Sequence, residues 1–404
     1  MGQIVYIGNF QFPLGDAVAK RVLGVGTALR EAGYIVSFIG ENKDVSLNSM
    51  SEDFVYDGFR YCSLHKPTSA REHYYYRKDI ELIKEKLIEW GKKDSIDIVF
   101  FCGMKCAFMA AKMLKLCKQM KIATIADSMD WLKAHTGNVV FDLIKQADIE
   151  YELRVVNKKA NGVMTISQYL ADYYLKNNQK VIVVPPLSPY HRECYSPTEN
   201  KIPLLVYAGI PCRLGQPLKN AKFAKDRLDI AVALLYQVYL ADVFFELKIY
   251  GISKEDYNVV FPQQKDIVQK LVENGFITFY GYVNETVVRE AVIQADYTIL
   301  IREKNRVSMA GFPTKVSESI TLGTPVITTD TSDIKNYLSE DVCYFIDLHN
   351  LYEAGETLRR ILSSDATERT RNKILSLKND SFEPKKYAEV LVSFIKRCKN
   401  EDKI

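Results

Sequence analysis

Short runs of β-branched and aromatic residues alternate along the chain with segments whose apolar positions recur every three or four residues. "QIVYIG" is followed by a helical pattern near Ala17 to Ala32 and "IVSFIG" by one near Glu81 to Lys92. "IDIVFF" is followed by a third near Lys105 to Met120, which leads into "IATIAD". Strands alternating with helices in this way predict a parallel sheet covered by helices on both faces. A longer helical region near Val139 to Ala160 precedes "GVMTIS" and "KVIVVPPL". The stretch "SPYHRECYSPTENKIP" then loses all periodicity and reads as a linker.

Beyond it the pattern begins again. "LLVYAG", "FELKIYG", "ITFYG", "DYTILI" and "PVITT" are separated by helical patterns near Asp226 to Tyr239, Lys265 to Glu273, Glu285 to Gln294 and in "FPTKVSESITLG". The expected organisation is α/β: a doubly wound domain over residues 1–190, a linker over 191–203 and a second doubly wound domain over 204–383. The amphipathic segment "PKKYAEVLVSFIKRCK" in 384–404 is expected to pack back toward the first domain. Ligands of such sheets lie at the carboxyl ends of the strands, which directs attention to the loops after "YIG", "FFCG", "IAD", "YAG", "YG" and "LIR".

Composition changes this picture little. A chain of 404 residues is long enough for two cores, and a formal net charge of +4 without a basic run carrying interleaved aromatics argues against a nucleic-acid partner. The eight cysteines have neither zinc nor redox spacing, which favours reduced core thiols and a cytoplasmic location. The amino terminus enters an apolar strand directly, Tyr6 stands where a myristoylation pattern needs Ser or Thr, and no apolar run reaches the length of a membrane span. Any membrane contact is therefore expected to be peripheral, at the inner face.

Candidate chemistry concentrates in the second domain. The loop before the helix near Asp226 offers Arg213, Lys219, Lys222 and Lys225, where a helix start adds free N–H groups and partial positive charge suited to a phosphate or diphosphate. A solvated basic loop is the plain alternative. Arg302 follows "DYTILI", and Gly311, Phe312, Pro313, Thr314 and Lys315 precede a helix carrying Glu318 one turn in. Thr314 and Lys315 occupy the places of a helix's first unpaired donors, and Gly311 permits close approach of backbone. Glu318 could accept hydrogen bonds from two ribose hydroxyls or merely complement the helix dipole.

"GFPTKVSESITLGTPVITTD", with "YAG…KDRLDIAVALL", "LKIYG", "ITFYGYV" and "ADYTILIR", resembles the carboxyl-terminal domain of family 4 glycosyltransferases, retaining enzymes of the GT-B fold that use nucleotide sugars. "IGNFQFPLGDAVAKRVLGVGTALREAGYIVSFIGE" and "GVMTISQYLADYY" are similar to segments of their first domain. The resemblance implies two Rossmann-like domains facing an interdomain cleft, with Glu318 on the donor ribose and Lys225 and Arg302 on the diphosphate. It further implies backbone from Gly311 to Lys315 on sugar and phosphate, Tyr282 and Val283 at the base, and Gly15 and Asp16 closing over the donor. One departure stands out: the family usually has another glutamate ahead of the one matching Glu318, with seven residues between the two, and this chain has Ala310 there.

In the first domain "IADSMDWLKAHTGN" supplies Asp127, Asp130 and His135 after a strand, with Asp127 or Asp130 the first choice for contact with the acceptor hydroxyl or departing group and a helix cap as the alternative. "DSMD" and "DTSD" lack Asp-x-Asp spacing, so no metal and no other cofactor is expected, and protein cations would stabilise the departing diphosphate. "KCAFMAAKMLKLCKQMKI" reads as a helix that covers the sheet with its lysines in water, in preference to one lying on an anionic membrane. Tyr74, Tyr75 and Tyr76 suit either sugar stacking or packing. The expectation is a retaining, metal-independent transferase that takes a sugar from a nucleoside diphosphate sugar to a hydroxyl on a glycan, glycolipid or polysaccharide intermediate. A sugar-nucleotide epimerase and a non-catalytic nucleotide-sugar-binding partner of a transferase are the rival expectations.

Overall fold

The computed structural model describes residues 2–399 apart from 70, 135–137, 178, 189, 191–199, 213, 216 and 218–223. It divides into two compact units: Met1–Pro189 with Ala310–Phe312 and Phe382–Ile404, and Tyr190–Met309 with Pro313–Ser381.

The first unit is built on an eight-stranded sheet. Its strands are β1 (Gln3–Gly8), β2 (Ile35–Asn42), β3 (Phe54–Tyr56), β4 (Phe59–His65), β5 (Ile96–Cys102), β6 (Ala123–Ser128), β7 (Gly162–Thr165) and β8 (Val181–Val183). They lie in the order β3-β4-β2-β1-β5-β6-β7-β8, all parallel except the β3–β4 pair. The central strands bury both faces and read as continuous apolar runs, as parallel strands covered on two sides must. Between them lie α1 (Ala17–Glu31), α2 (Arg77–Trp90), α3 (Ala107–Gln119), α4 (Val139–Tyr151) and α5 (Gln168–Leu175), α4 continuing as a π turn and a 3-10 turn to Lys159. One part of the core is aromatic: Tyr6 stacks on Phe100 at 5.2 Å and Phe12 on Phe38 at 4.3 Å between ring centroids.

The second unit has a six-stranded, wholly parallel sheet ordered β11-β10-β9-β12-β13-β14. Its strands are β9 (Leu204–Ala208), β10 (Glu246–Tyr250), β11 (Ile277–Gly281), β12 (Tyr297–Leu300), β13 (Val326–Thr328) and β14 (Cys343–Phe345). The helices are α6 (Leu228–Leu240), α7 (Lys254–Val260), α8 (Lys265–Glu273), α9 (Glu285–Gln294), α10 (Arg306–Ala310), α11 (Thr314–Thr321), α12 (Ile334–Tyr337), α13 (Leu351–Leu362) and α14 (Ala366–Lys378). The last helix, α15 (Pro384–Lys399), belongs to the first unit, where Leu391, Phe394, Ile395 and Cys398 join the core that α1 also lines.

In each sheet the chain winds outward in both directions from one central pair, β1 and β5 in the first and β9 and β12 in the second. At such a reversal the loops leaving the two strands diverge to opposite faces and open a crevice at their carboxyl ends.

Candidate active site

In the second unit that crevice is framed by the loops after β9 and β12. Strands β9, β10 and β11 end in tyrosine-glycine or alanine-glycine steps whose backbones are tied together: Gly209 N–H donates to Tyr250 O at 2.9 Å and Gly251 N–H to Gly281 O at 2.7 Å. A Cβ at Gly209 would lie 2.1 Å from Lys315 Nζ, so a side chain there would displace the lysine from its place. Gly251, at φ +94°, sits against the backbone of Gly209. The glycines thus form a bare floor over which a cationic side chain reaches.

That cation belongs to a buried cluster around Asp226, just before α6. Lys315 Nζ donates to Asp226 Oδ2 at 3.0 Å, Arg302 Nε to Oδ1 at 2.9 Å and Tyr207 OH to Oδ2 at 3.1 Å. Burial alone would push the Asp226 carboxyl up, but Lys315 and Arg302 outweigh it and hold the group well below the usual carboxylate range. The Asp226 side chain is 0 % exposed, that of Arg302 6 % and that of Lys315 32 %. Arg302 engages Asp226 through Nε, and its terminal nitrogens make no hydrogen bond among the described residues. The cluster therefore carries two positive charges on one negative, with the excess at the carboxyl end of the sheet. Asp226 does not stand out in the sequence, because its partners Arg302 and Lys315 lie 76 and 89 residues away.

Lys315 is the second residue of α11, whose N-cap, Pro313, makes no side-chain capping bond. The first-turn N–H groups of α11 thus add partial positive charge beside the lysine. Glu318 follows on the same helix and is half-buried. Tyr190 lies close to it and donates to Glu285; burial first, then the Glu318 and Glu285 charges, push the Tyr190 hydroxyl far above its usual value. Lys225 is exposed, its N–H donating to Pro211 O at 2.8 Å. Tyr282 is exposed and Val283 packs partly buried on a small cluster with Leu204 and Tyr250. Arg213, Lys219 and Lys222 lie outside the described residues.

The loop ahead of α11 is divided: Ala310, Gly311 and Phe312 group with the first unit, Pro313 onward with the second. Phe312 packs edge-on against Phe382 at 5.8 Å. Ala310 is fully buried, and its carbonyl accepts from Ser167 Oγ at 2.6 Å, so a methyl stands where the resembling family usually has a carboxylate.

In the first unit the expectation for Asp127 is corrected. Its side chain is 0 % exposed and is clamped by Arg21, whose Nη2 donates to Oδ1 at 2.7 Å and whose Nε donates to Oδ2 at 2.9 Å, while Tyr6 OH also donates to Oδ2. Arg21 Nη1 donates to Val184 O at 2.9 Å, so the group ties β1, β6, α1 and the chain after β8 together. A carboxylate with no surface and both oxygens engaged cannot meet a substrate. Asp130, three residues on, is exposed in the loop after β6. Asp16, partly exposed, caps α1 by accepting from Ala19 N–H at 2.8 Å and also accepts from Gln11 N–H at 3.0 Å. Gly15 donates its N–H to Gln11 O at 2.9 Å, and a Cβ there would press on the Gln11 side chain. His135 lies outside the described residues. Glu41, at the end of β2, escaped the sequence reading; it is buried, its Oε2 has no partner, and burial pushes its carboxyl up to about 8.

Among the described residues no group of three or more His, Cys, Asp or Glu could hold a metal ion, and every described cysteine is a free thiol. Among the described residues no helix is long and apolar enough to cross a membrane.

Residues 245–376, which include β10 to β14 and all of α11, match the family model described as Glycosyl transferases group 1. The chain is a glycosyltransferase. No curated protein sequence matches it. Among solved structures, the E. coli structure described as trehalose-6-phosphate bound with UDP-2-fluoro glucose matches at TM-score 0.64 and 10 % identity, covering 98 % of this chain and 99 % of that one. Sucrose-phosphate synthase from Thermosynechococcus elongatus matches at TM-score 0.62 and 13 % identity, over 98 % of this chain and 100 % of that one. A UDP-forming trehalose-phosphate synthase from Burkholderia xenovorans matches at 0.63 and 10 %, over 98 % and 99 %. This glycosyltransferase therefore has the two-domain GT-B fold.

Proposed function

We propose that the glycosyltransferase takes its sugar from a nucleoside diphosphate sugar held by the second unit and passes it, with retention and without a metal or other cofactor, to a hydroxyl acceptor. The observation that carries this reading is the pairing of Lys315 and Arg302 on buried Asp226 beside the uncapped start of α11, an excess of fixed positive charge at a sheet's switch point. Lys315, Arg302 and exposed Lys225 would meet the diphosphate, Thr314 the phosphate or sugar, and Glu318 the ribose. Gly311 and Phe312 would shape the sugar pocket, while Tyr282 and Val283 would line the base. Cations fixed before the reaction stabilise the charge that develops on the departing diphosphate. Asp130 is the carboxylate proposed to contact the acceptor hydroxyl or leaving group.

UDP sugars are the first donors to test, because one of the similar structures is described with UDP-2-fluoro glucose and another as UDP-forming. The acceptor is proposed to be a glycan or lipid-linked intermediate, met in the cytoplasm or at the inner face of a membrane. Ala310 keeps a non-catalytic nucleotide-sugar-binding role as the second reading, since it removes a carboxylate the resembling family usually has. Release of nucleoside diphosphate that depends on added acceptor supports the transferase; binding without such release supports the second reading.

A further inference from the structure

Helix α4 is turned inside out. None of its 13 residues is buried. Its polar side chains hold it to its own unit: Gln146 accepts from Ala134 N–H at 2.9 Å, Asp148 from Ala107 N–H at 3.1 Å and Glu150 from Trp131 Nε1 at 3.0 Å. Its large apolar residues face outward, with Val139 75 %, Val140 65 % and Leu143 68 % exposed and Phe141 and Ile144 about half exposed. A helix normally buries that stripe. Alongside it, Phe108 at the start of α3 is exposed and its ring lies 5.7 Å from that of Tyr151.

Lysines border the apolar surface. Lys112, Lys115 and Lys118 occupy the exposed face of α3 that begins with Phe108, and Lys133 and Lys145 are exposed on the loop before α4 and on α4 itself. The buried face of α3, with Met109, Met113, Leu116 and Cys117, covers the sheet, so its lysines are free to serve a second surface.

We infer that α4 and the lysine face of α3 dock the enzyme on an anionic lipid surface, the apolar residues entering the interface and the lysines meeting headgroup phosphates. This goes beyond the proposed reaction and does not depend on it. Apolar residues flanked by lysines are the pattern of an interfacial helix. A second copy of this chain is the weaker occupant, because an isologous contact would set the same lysines against one another.

Co-sedimentation of the full chain with vesicles tests the inference. At low salt the protein should pellet with phosphatidylcholine–phosphatidylglycerol vesicles and not with phosphatidylcholine alone. Leu143→Glu/Ile144→Glu, and separately Lys112→Glu/Lys115→Glu/Lys118→Glu, should each lower the partition by on the order of 100-fold. Both sets are exposed, so the melting temperature should hold, and the stabilisation by a nucleotide sugar should be unchanged. The inference is overturned if the protein ignores anionic vesicles, if both variants pellet like the wild type, or if light scattering shows a dimer that Leu143→Glu/Ile144→Glu dissolves.

Discussion

Replacing Asp226 by Asn keeps the side chain's size and removes the one negative charge beneath two cations. Arg302, with a side chain only 6 % exposed, is left without its countercharge. Removing one partner of a buried pair costs about 3–5 kcal/mol. Lys315, about a third exposed, adds at most ~1 kcal/mol because water screens its half of the cluster. The second unit's thermal transition should then fall by roughly 6–20 °C, taking 2–4 °C per kcal/mol for a unit of this size. Calorimetry on Asp226→Asn, Arg302→Gln and the double variant gives the coupling directly: the double variant should be less destabilised than the two single effects added together. The pH dependence has a defined sign. A carboxyl depressed below its ordinary 3.8 stabilises the fold above that value and loses its contribution as pH falls toward the folded value, so the Asn variant should lack this acid limb. A shift under about 2 °C for Asp226→Asn, or strict additivity in the cycle, would refute the reasoning.

The remaining predictions separate binding from folding. Lys315→Met should weaken nucleoside diphosphate binding about tenfold or more, while leaving the melting temperature within a few degrees, because the partly exposed lysine contributes more to the ligand than to the fold. Asp127→Asn should cost about 3–5 kcal/mol in unfolding experiments by stranding Arg21, whereas Asp130→Asn should leave stability unchanged and lower kcat. Glu41, whose folded carboxyl titrates near 8 against an ordinary 4.5, contributes stability that is complete below about 4.5 and is lost as pH rises through 8. The loss is at most roughly 5 kcal/mol, and Glu41→Gln should flatten it in a pH series of denaturant melts. Turnover in EDTA should equal turnover with added magnesium.

The alternation of strands and helices was legible because parallel strands buried on both faces are continuous apolar runs separated by helical periods. The hairpin of β3 and β4 was not read, although Asp57-Gly58 is its turn and both residues have positive φ. Its strand residues alternate too weakly to mark a face: Phe54 and Val55 are both exposed. At the site, Lys315, Arg302 and Glu318 could be picked out by their places after strands and at a helix start, but Asp226 could not. Its meaning lies in partners from two other strand ends, and a single Asp before a helix resembles an ordinary cap. Asp127 misled for the same reason, since its partner Arg21 lies 106 residues earlier. Helix α4 marks another limit: periodicity shows that a helix has an apolar face, but not which way that face points.

The most direct test of the account follows nucleoside diphosphate release from a panel of nucleotide sugars, in EDTA, by the wild-type chain and by Glu318→Ala. Release from at least one donor should rise with added hydroxyl acceptor and fall by about 10–100-fold in the variant, as expected for losing hydrogen bonds to a charged group. Equal release by Glu318→Ala, or no binding of any nucleotide sugar to the wild-type chain, would contradict it.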